Sequence, residues 1–118
     1  VTQSTSPLYS PEAFLCIKQT MQAAGFSILP YQNSVPSMGQ WGWQLGVRQK
    51  AMSTDLLKQK LTMSKFSDIE TRFFNQDAMI SMVHFGKGLF EKEGEIEPNT
   101  QFNHNILKYY RQGSWDLY

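Results

Sequence analysis

Two histidines and one cysteine are the first places to look for chemistry in this chain, and their spacing offers none. His84 and His104 lie twenty positions apart, and neither has a cysteine or paired carboxylates at ligand spacing, so no metal site is expected. Cys16 falls within an amphipathic segment, where a small core residue is the simpler reading than a nucleophile. No G-x-S-x-G elbow and no phosphate-cradling glycine loop occurs. The aromatic residues ask more of the reader. Trp41, Trp43, Phe73, Phe74, Tyr109 and Tyr110 could stack nucleobases, but the basic residues do not interleave with them, so filling a core is the simpler role. Within "NSVPSMGQWGWQLGV", alternation sends Trp41, Trp43 and Leu45 to one face of a strand and Gly42, Gln44 and Gly46 to the other. A face with two glycines lets another group approach the backbone closely.

These residues need elements to hold them. "SPEAF" reads as a helix start, with Ser10 as cap, Pro11 at the first helical position and Glu12 in the first turn. Phe14, Ile17, Met21 and Ala24 follow at helical spacing and Gly25 supplies a left-handed stop, which predicts a helix over 11–24. "FSILPYQ" predicts a short strand that Pro30 confines to an edge or a bulge; "VPSMGQ" turns and "WGWQLGV" returns. Such an order matches the last part of a doubly wound α/β sheet, a parallel crossover followed by an antiparallel hairpin strand.

Residues 51–118 read as a helical tail. Ser53 caps a short helix with Leu56, Leu57 and Leu61 as its buried stripe. An extended piece is expected over 69–74, then a helix over 76–84 capped by Asn75 and closed by His84, whose charge suits the dipole there. "GKGLFEKEGEIEPNT" reads as loop, and Ile106, Leu107, Tyr110 and Trp115 belong to a short docking helix.

Composition narrows the function classes. Eleven Lys and Arg stand against ten Asp and Glu, with no block of like charge, which argues against a nucleic-acid or membrane-surface binder. A single cysteine makes no internal disulfide and no apolar run reaches membrane-spanning length, so a cytoplasmic setting is expected. The chain opens on "VTQSTSP" without methionine or cap, and reads as part of something longer.

Four strings in order, "QSTSPLYSPEAF", "AAGFSILPYQNSVPSMGQWGW", "TRFFNQDAMISMVHF" and "ILKYYRQGSW", span nearly the whole chain. With them the sequence resembles the C-terminal part of the spermidine and spermine synthases, the polyamine aminopropyltransferases, and most closely their long bacterial variants with an added membrane domain. The resemblance implies a Rossmann-like, methyltransferase-type sheet with an antiparallel last strand. It also implies transfer of an aminopropyl group from decarboxylated S-adenosylmethionine, the co-substrate, to a putrescine-like polyamine. The family's glycine-rich donor loop would lie upstream, so no cofactor is expected in this chain itself.

Carried over residue by residue, the resemblance sets "QSTSP" against the family's Asp-x-x-Asp-Pro, with Gln3 at the catalytic aspartate and Ser6 at the second acid. A neutral amide can hydrogen-bond an amine but cannot accept its proton. Met38, Gln40 and Trp41 fall on the turn and strand that wall the polyamine groove, Trp43 is expected in the core against the 11–24 helix, and Met79 replaces a family histidine. The implied whole is a C-terminal segment of a transferase, inactive alone, paired with upstream chain and forming a homodimer. The alternatives are a stand-alone binding or scaffold domain and a methyltransferase-like protein.

Overall fold

A computed structural model describes residues 1–115. Strand β1 (Thr2–Gln3) leads through a turn into helix α1 (Pro11–Ala23), then come the long strands β2 (Phe26–Val35) and β3 (Gly39–Arg48). Helices α2 (Thr54–Met63) and α3 (Gln76–Met82), a 3-10 turn at Phe90–Glu95 and helix α4 (Asn105–Arg111) complete the chain. The architecture is α/β: a three-stranded sheet in the order β1-β3-β2, with helices on both faces. Both β1 and β2 run antiparallel to β3 and are therefore parallel to each other, so the expected crossover exists with the hairpin strand inserted between its two ends.

The β2–β3 hairpin is longer than its sequence promised. β2 runs ten residues straight through Pro30, which pairs with Gln44. As an edge strand it tolerates a residue without a backbone donor. Pro36 pre-sets the turn, the Met38 amide donates to the Val35 carbonyl at 3.0 Å, and Gly39 takes φ +71°, the left-handed conformation that closes a three-residue hairpin loop.

The register decides what each face does, and it corrects one expectation. The glycine face, with Gly42, Gln44 and Gly46, is the one that receives α1. A methyl group at Gly42 would lie 2.4 Å from the Phe14 ring and 3.0 Å from the Thr5 carbonyl oxygen, so the glycine is there to admit a phenyl ring. Trp43 therefore does not pack on α1. It lies half-buried on the opposite face, stacked on Tyr31 across the strands with ring centroids 5.6 Å apart.

Helix α1 is covered on two sides, which explains why Ala13, Phe14, Leu15 and Cys16 are all fully buried rather than one stripe. The sheet takes Phe14; Ile96, Tyr109 and the flanking Phe85, Leu89, Ile106 and Tyr110 close the rest of the cluster. Ala24 is exposed instead. Burial raises the Cys16 thiol pKa, opposed by hydrogen bonds from Thr20 and the Asn99 backbone, and the thiol donates to the Glu97 carbonyl. That suits a core residue, not a nucleophile. Ser10 makes no side-chain cap; its hydroxyl is buried without a partner among the described residues.

On the other face Leu29, Leu57 and Val83 form a smaller cluster with Tyr31, Leu45, Val47, Met52, Leu61 and Met79 around it. Ser53 and Asn75 cap as expected, accepting from the amides of Leu56 at 3.2 Å and Ala78 at 2.8 Å. Three expectations fail here. Leu56 is exposed, residues 69–74 form bends and loop instead of a strand, and α3 ends at Met82, short of His84. In α4 it is Asn105 and Tyr109 that are buried, while Leu107 faces out. Trp115 stacks on Tyr110.

Candidate functional site

A cleft of about 440 Å³ opens where β1 and the second half of β2 reach their carboxyl ends, the side of an open α/β sheet at which ligands bind. Pro7, Leu8 and Pro11 form one wall, Gln32 and Gln40 of the hairpin a second, and the loop Phe85–Leu89 with Lys92 the third.

The hairpin wall is polar and ordered. Gln40 Nε2 donates to Gln32 Oε1, and Gln32 Nε2 donates to the His84 carbonyl at 3.0 Å, so two carboxamides form a relay anchored on backbone. Gln40 Oε1 has no protein partner among the described residues, which leaves one carbonyl free for a donor such as an ammonium. Of the cations at the rim, Lys92 approaches Glu12 at 3.6 Å; Lys87 has no ion pair among the described residues.

The turn beside the cleft is held tightly. Past β1 the ladder continues, Ser4 N to Gly42 O at 2.9 Å and Gly42 N to Thr5 O at 2.8 Å. Thr5 then takes φ +57°, which a β-branched residue adopts at a cost of about 1–3 kcal/mol. The reversal delivers Ser6, fully buried, whose Oγ accepts from the amides of Leu8 at 3.2 Å and Tyr9 at 3.1 Å. Replacing Ser6 with Ala should lower stability by about 1–3 kcal/mol, the cost of stranding buried donors. Thermal unfolding measures it, and an unchanged melting temperature would mean that the hydroxyl does not hold the turn.

The structure divides the five residues singled out from the sequence. Gln40 lines the cleft; Met38 is half-buried at the hairpin tip, where a methyl group on Gly39 would lie 3.6 Å from the Tyr9 ring; Ser6 holds the turn. Gln3 and Trp41 belong to the opposite face, Gln3 exposed opposite Trp43 and Trp41 opposite Asn33. Trp41 Nε1 and Asn33 Oδ1 are both buried without partners among the described residues. Gln32 and Thr5 were missed. Gln32 had a legible signal, since it stands opposite Gly42 in the register that the turn dictates. Nothing in the residue type of Thr5 announces its backbone. No cluster of metal-ligating residues exists among the described residues.

Comparison with known proteins adds what geometry cannot. A polyamine aminopropyltransferase of Mycobacterium tuberculosis is 30% identical over 116 residues, covering 98% of this chain. The chain fits the C-terminal part of the polyamine aminopropyltransferase family. Polyamine aminopropyltransferase 2 of Ralstonia nicotianae is 28% identical over 112 residues, 95% of the chain, and the Leptospira interrogans enzyme of the same name 31% identical over 109 residues, 92% of it. The match falls on the C-terminal part of these relatives, and the chain spans about a fifth of their length, 20%, 20% and 19% in turn. No family model matches the chain, and no solved structure matches it significantly. Among the described residues no helix is long and apolar enough to cross a membrane.

Proposed function

We propose that this chain is the acceptor-side part of a polyamine aminopropyltransferase, contributing one wall of the site where an amine attacks decarboxylated S-adenosylmethionine. The observation that carries the reading is the alignment of nearly the whole chain with the C-terminal part of enzymes bearing that name. The parallel β1–α1–β2 crossover with β3 inserted supports the end of a Rossmann-like, methyltransferase-type sheet.

In this reading the amine nitrogen forms a bond to the aminopropyl carbon while the carbon–sulfur bond breaks, its electron pair neutralising the sulfonium, and the new ammonium gives up a proton. The chain's own contribution is orientation. Gln40 Oε1, steered by the Gln32 relay, accepts from the ammonium, while Pro7, Leu8 and Phe85 provide apolar walls for an alkyl chain. Neither glutamine can take the proton, and the rim carries Lys87, a cation with no ion pair among the described residues, so the base and the acids that neutralise a polyamine come from outside these residues. Upstream chain supplies the donor-binding loop, in a homodimeric enzyme.

Two proteins test this: the isolated chain, and a chimaera in which the chain replaces the matching C-terminal part of the Ralstonia relative. The isolated chain should give no aminopropyl product from decarboxylated S-adenosylmethionine and putrescine above a no-protein control. Carrying Gln3→Asp, which restores the acid the family has there, the chimaera should be active, and Gln40→Ala in it should raise KM for the amine about tenfold, one charge-assisted hydrogen bond of about 1.5 kcal/mol. A folded, inactive chimaera overturns the reading, as does product from the isolated chain.

A further inference from the structure

The charges around the cleft do not favour a second ammonium. No Asp or Glu stands among the described residues that line it, whereas Lys87 and Lys92 both do. The two acids nearest that wall in the chain's ion pairs are already engaged: Glu12 faces Lys92 at 3.6 Å, and Glu93 receives Lys18. Lys92 therefore has its counter-ion. Lys87 is exposed at the rim with no ion pair among the described residues. Its neighbours Gly86 and Gly88 have nothing within 4 Å of where a Cβ would stand, so the ammonium is carried on a stretch of loop that other side chains do not crowd.

The cleft in this way holds two recognition elements of opposite sense. On the hairpin wall Gln40 Oε1, steered by Gln32, accepts from an ammonium. On the loop wall Lys87 supplies a positive charge, and Pro7, Leu8 and Phe85 add apolar surface for methylene groups. A volume of about 440 Å³ falls in the range that buries a drug-sized ligand, so size does not choose between amines as small as these and charge does.

We infer that the cleft takes an ω-amino carboxylate as acceptor in preference to a diamine of the same length, its ammonium on Gln40 and its carboxylate on Lys87. A diamine in this place depends on acids brought from elsewhere in the enzyme. An acceptor that carries its own anion does not. The inference rests on the functional reading above for the transfer step, which is unchanged: the amine nitrogen loses a proton and bonds to the aminopropyl carbon, and the carbon–sulfur electron pair passes to sulfur. The products are an N-aminopropyl amino acid, a neutral thioether and one proton.

Putrescine and γ-aminobutyrate share a four-carbon chain and differ in charge at one end, which makes them the probes. In the Gln3→Asp Ralstonia chimaera, kcat/KM should be higher for γ-aminobutyrate. Lys87→Glu should lower the ratio of γ-aminobutyrate to putrescine about tenfold, because one substrate exchanges attraction for repulsion and the other the reverse, each by the modest amount an exposed pair provides. Lys87→Arg should keep the ratio, and Lys50→Glu, exposed beyond the end of β3, should leave it unchanged. At about 0.5 M salt the effect of Lys87→Glu should shrink. A second readout needs no catalysis: γ-aminobutyrate should raise the melting temperature of the chimaera, and Lys87→Glu should abolish that rise. A ratio unmoved by Lys87→Glu overturns the inference. So does a chimaera that uses putrescine and not γ-aminobutyrate, a result that leaves the transfer reading standing. A chimaera that γ-aminobutyrate stabilises through Lys87, but that makes product from neither amine, upholds the preference of the cleft and sinks the transfer reading.

Discussion

Phe14→Ala is expected to cost about 3–5 kcal/mol of stability, and to change what the neighbouring glycine tolerates. The ring is fully buried, flanked by Phe85 at a centroid distance of 5.8 Å and pressed against the bare backbone of Gly42. Removing it deletes an aromatic from a core that cannot collapse easily between a sheet and a helix. In a domain whose whole stability is on the order of 5–15 kcal/mol, that is a large share. Gly42→Ala alone should cost about 1–3 kcal/mol, because the added methyl would fall 2.4 Å from the ring and the ring has Phe85 behind it. Combined, the two changes should cost clearly less than their sum, the methyl added at position 42 entering space the ring has left; only the Thr5 carbonyl, at 3.0 Å, still crowds it. Urea denaturation of both single variants and the double variant reads the coupling. Strict additivity would mean that Phe14 does not lie on Gly42.

That pair also marks where the sequence was legible and where it was not. Alternation along "WGWQLGV" correctly separated Trp41, Trp43 and Leu45 from Gly42, Gln44 and Gly46, because the period of a strand is fixed by covalent geometry. It could not say which face meets α1. Hydrophobic patterning favoured the tryptophans, yet a helix that inserts a phenyl ring needs depth, and glycines provide depth by having no side chain. The same limit applies to α1: one apolar stripe and the core place of Cys16 were legible, whereas Ala13 and Leu15 are buried because α4 and the segment around Ile96 return over the helix. Caps were read well where a side chain does the capping, at Ser53 and Asn75, and badly at Ser10, where the Ser6 turn takes over the entry. Gln40, which lines the cleft, had been singled out through the family resemblance. Gln32 needed the hairpin register, and Thr5 needed the backbone itself.

Gln44→Glu should be the most damaging single change, and its damage should depend on pH. The carboxamide is fully buried between β3, β1 and α1, where Nε2 donates to Ser4 Oγ at 3.0 Å and to the Phe14 carbonyl at 3.2 Å, while Oε1 has no partner among the described residues. A carboxylate of the same shape loses both donors and faces the Phe14 carbonyl oxygen, an acceptor that repels it. A protonated carboxyl can still donate there. The folded state therefore favours the neutral acid, raising the pKa above the unfolded value of about 4.3 by as much as about 3–5 units for a fully buried group. With the folded pKa raised, the native state holds the proton through the window between the two values, so stability falls as pH climbs above about 4.3. At about 1.4 kcal/mol per pH unit, the loss relative to the parent reaches about 4–5 kcal/mol by about pH 8, enough to unfold a marginal domain. Near pH 4.5 most of it should be recovered. Gln44→Leu is the control: it removes the lone acceptor together with the two donated bonds, and whatever it costs should be the same at both pH values. Denaturation of the two variants at pH 4.5 and pH 8 separates charge burial from lost packing. A Gln44→Glu protein as stable at pH 8 as at pH 4.5 would place this side chain in water, and with it would go the packing of β3 against α1.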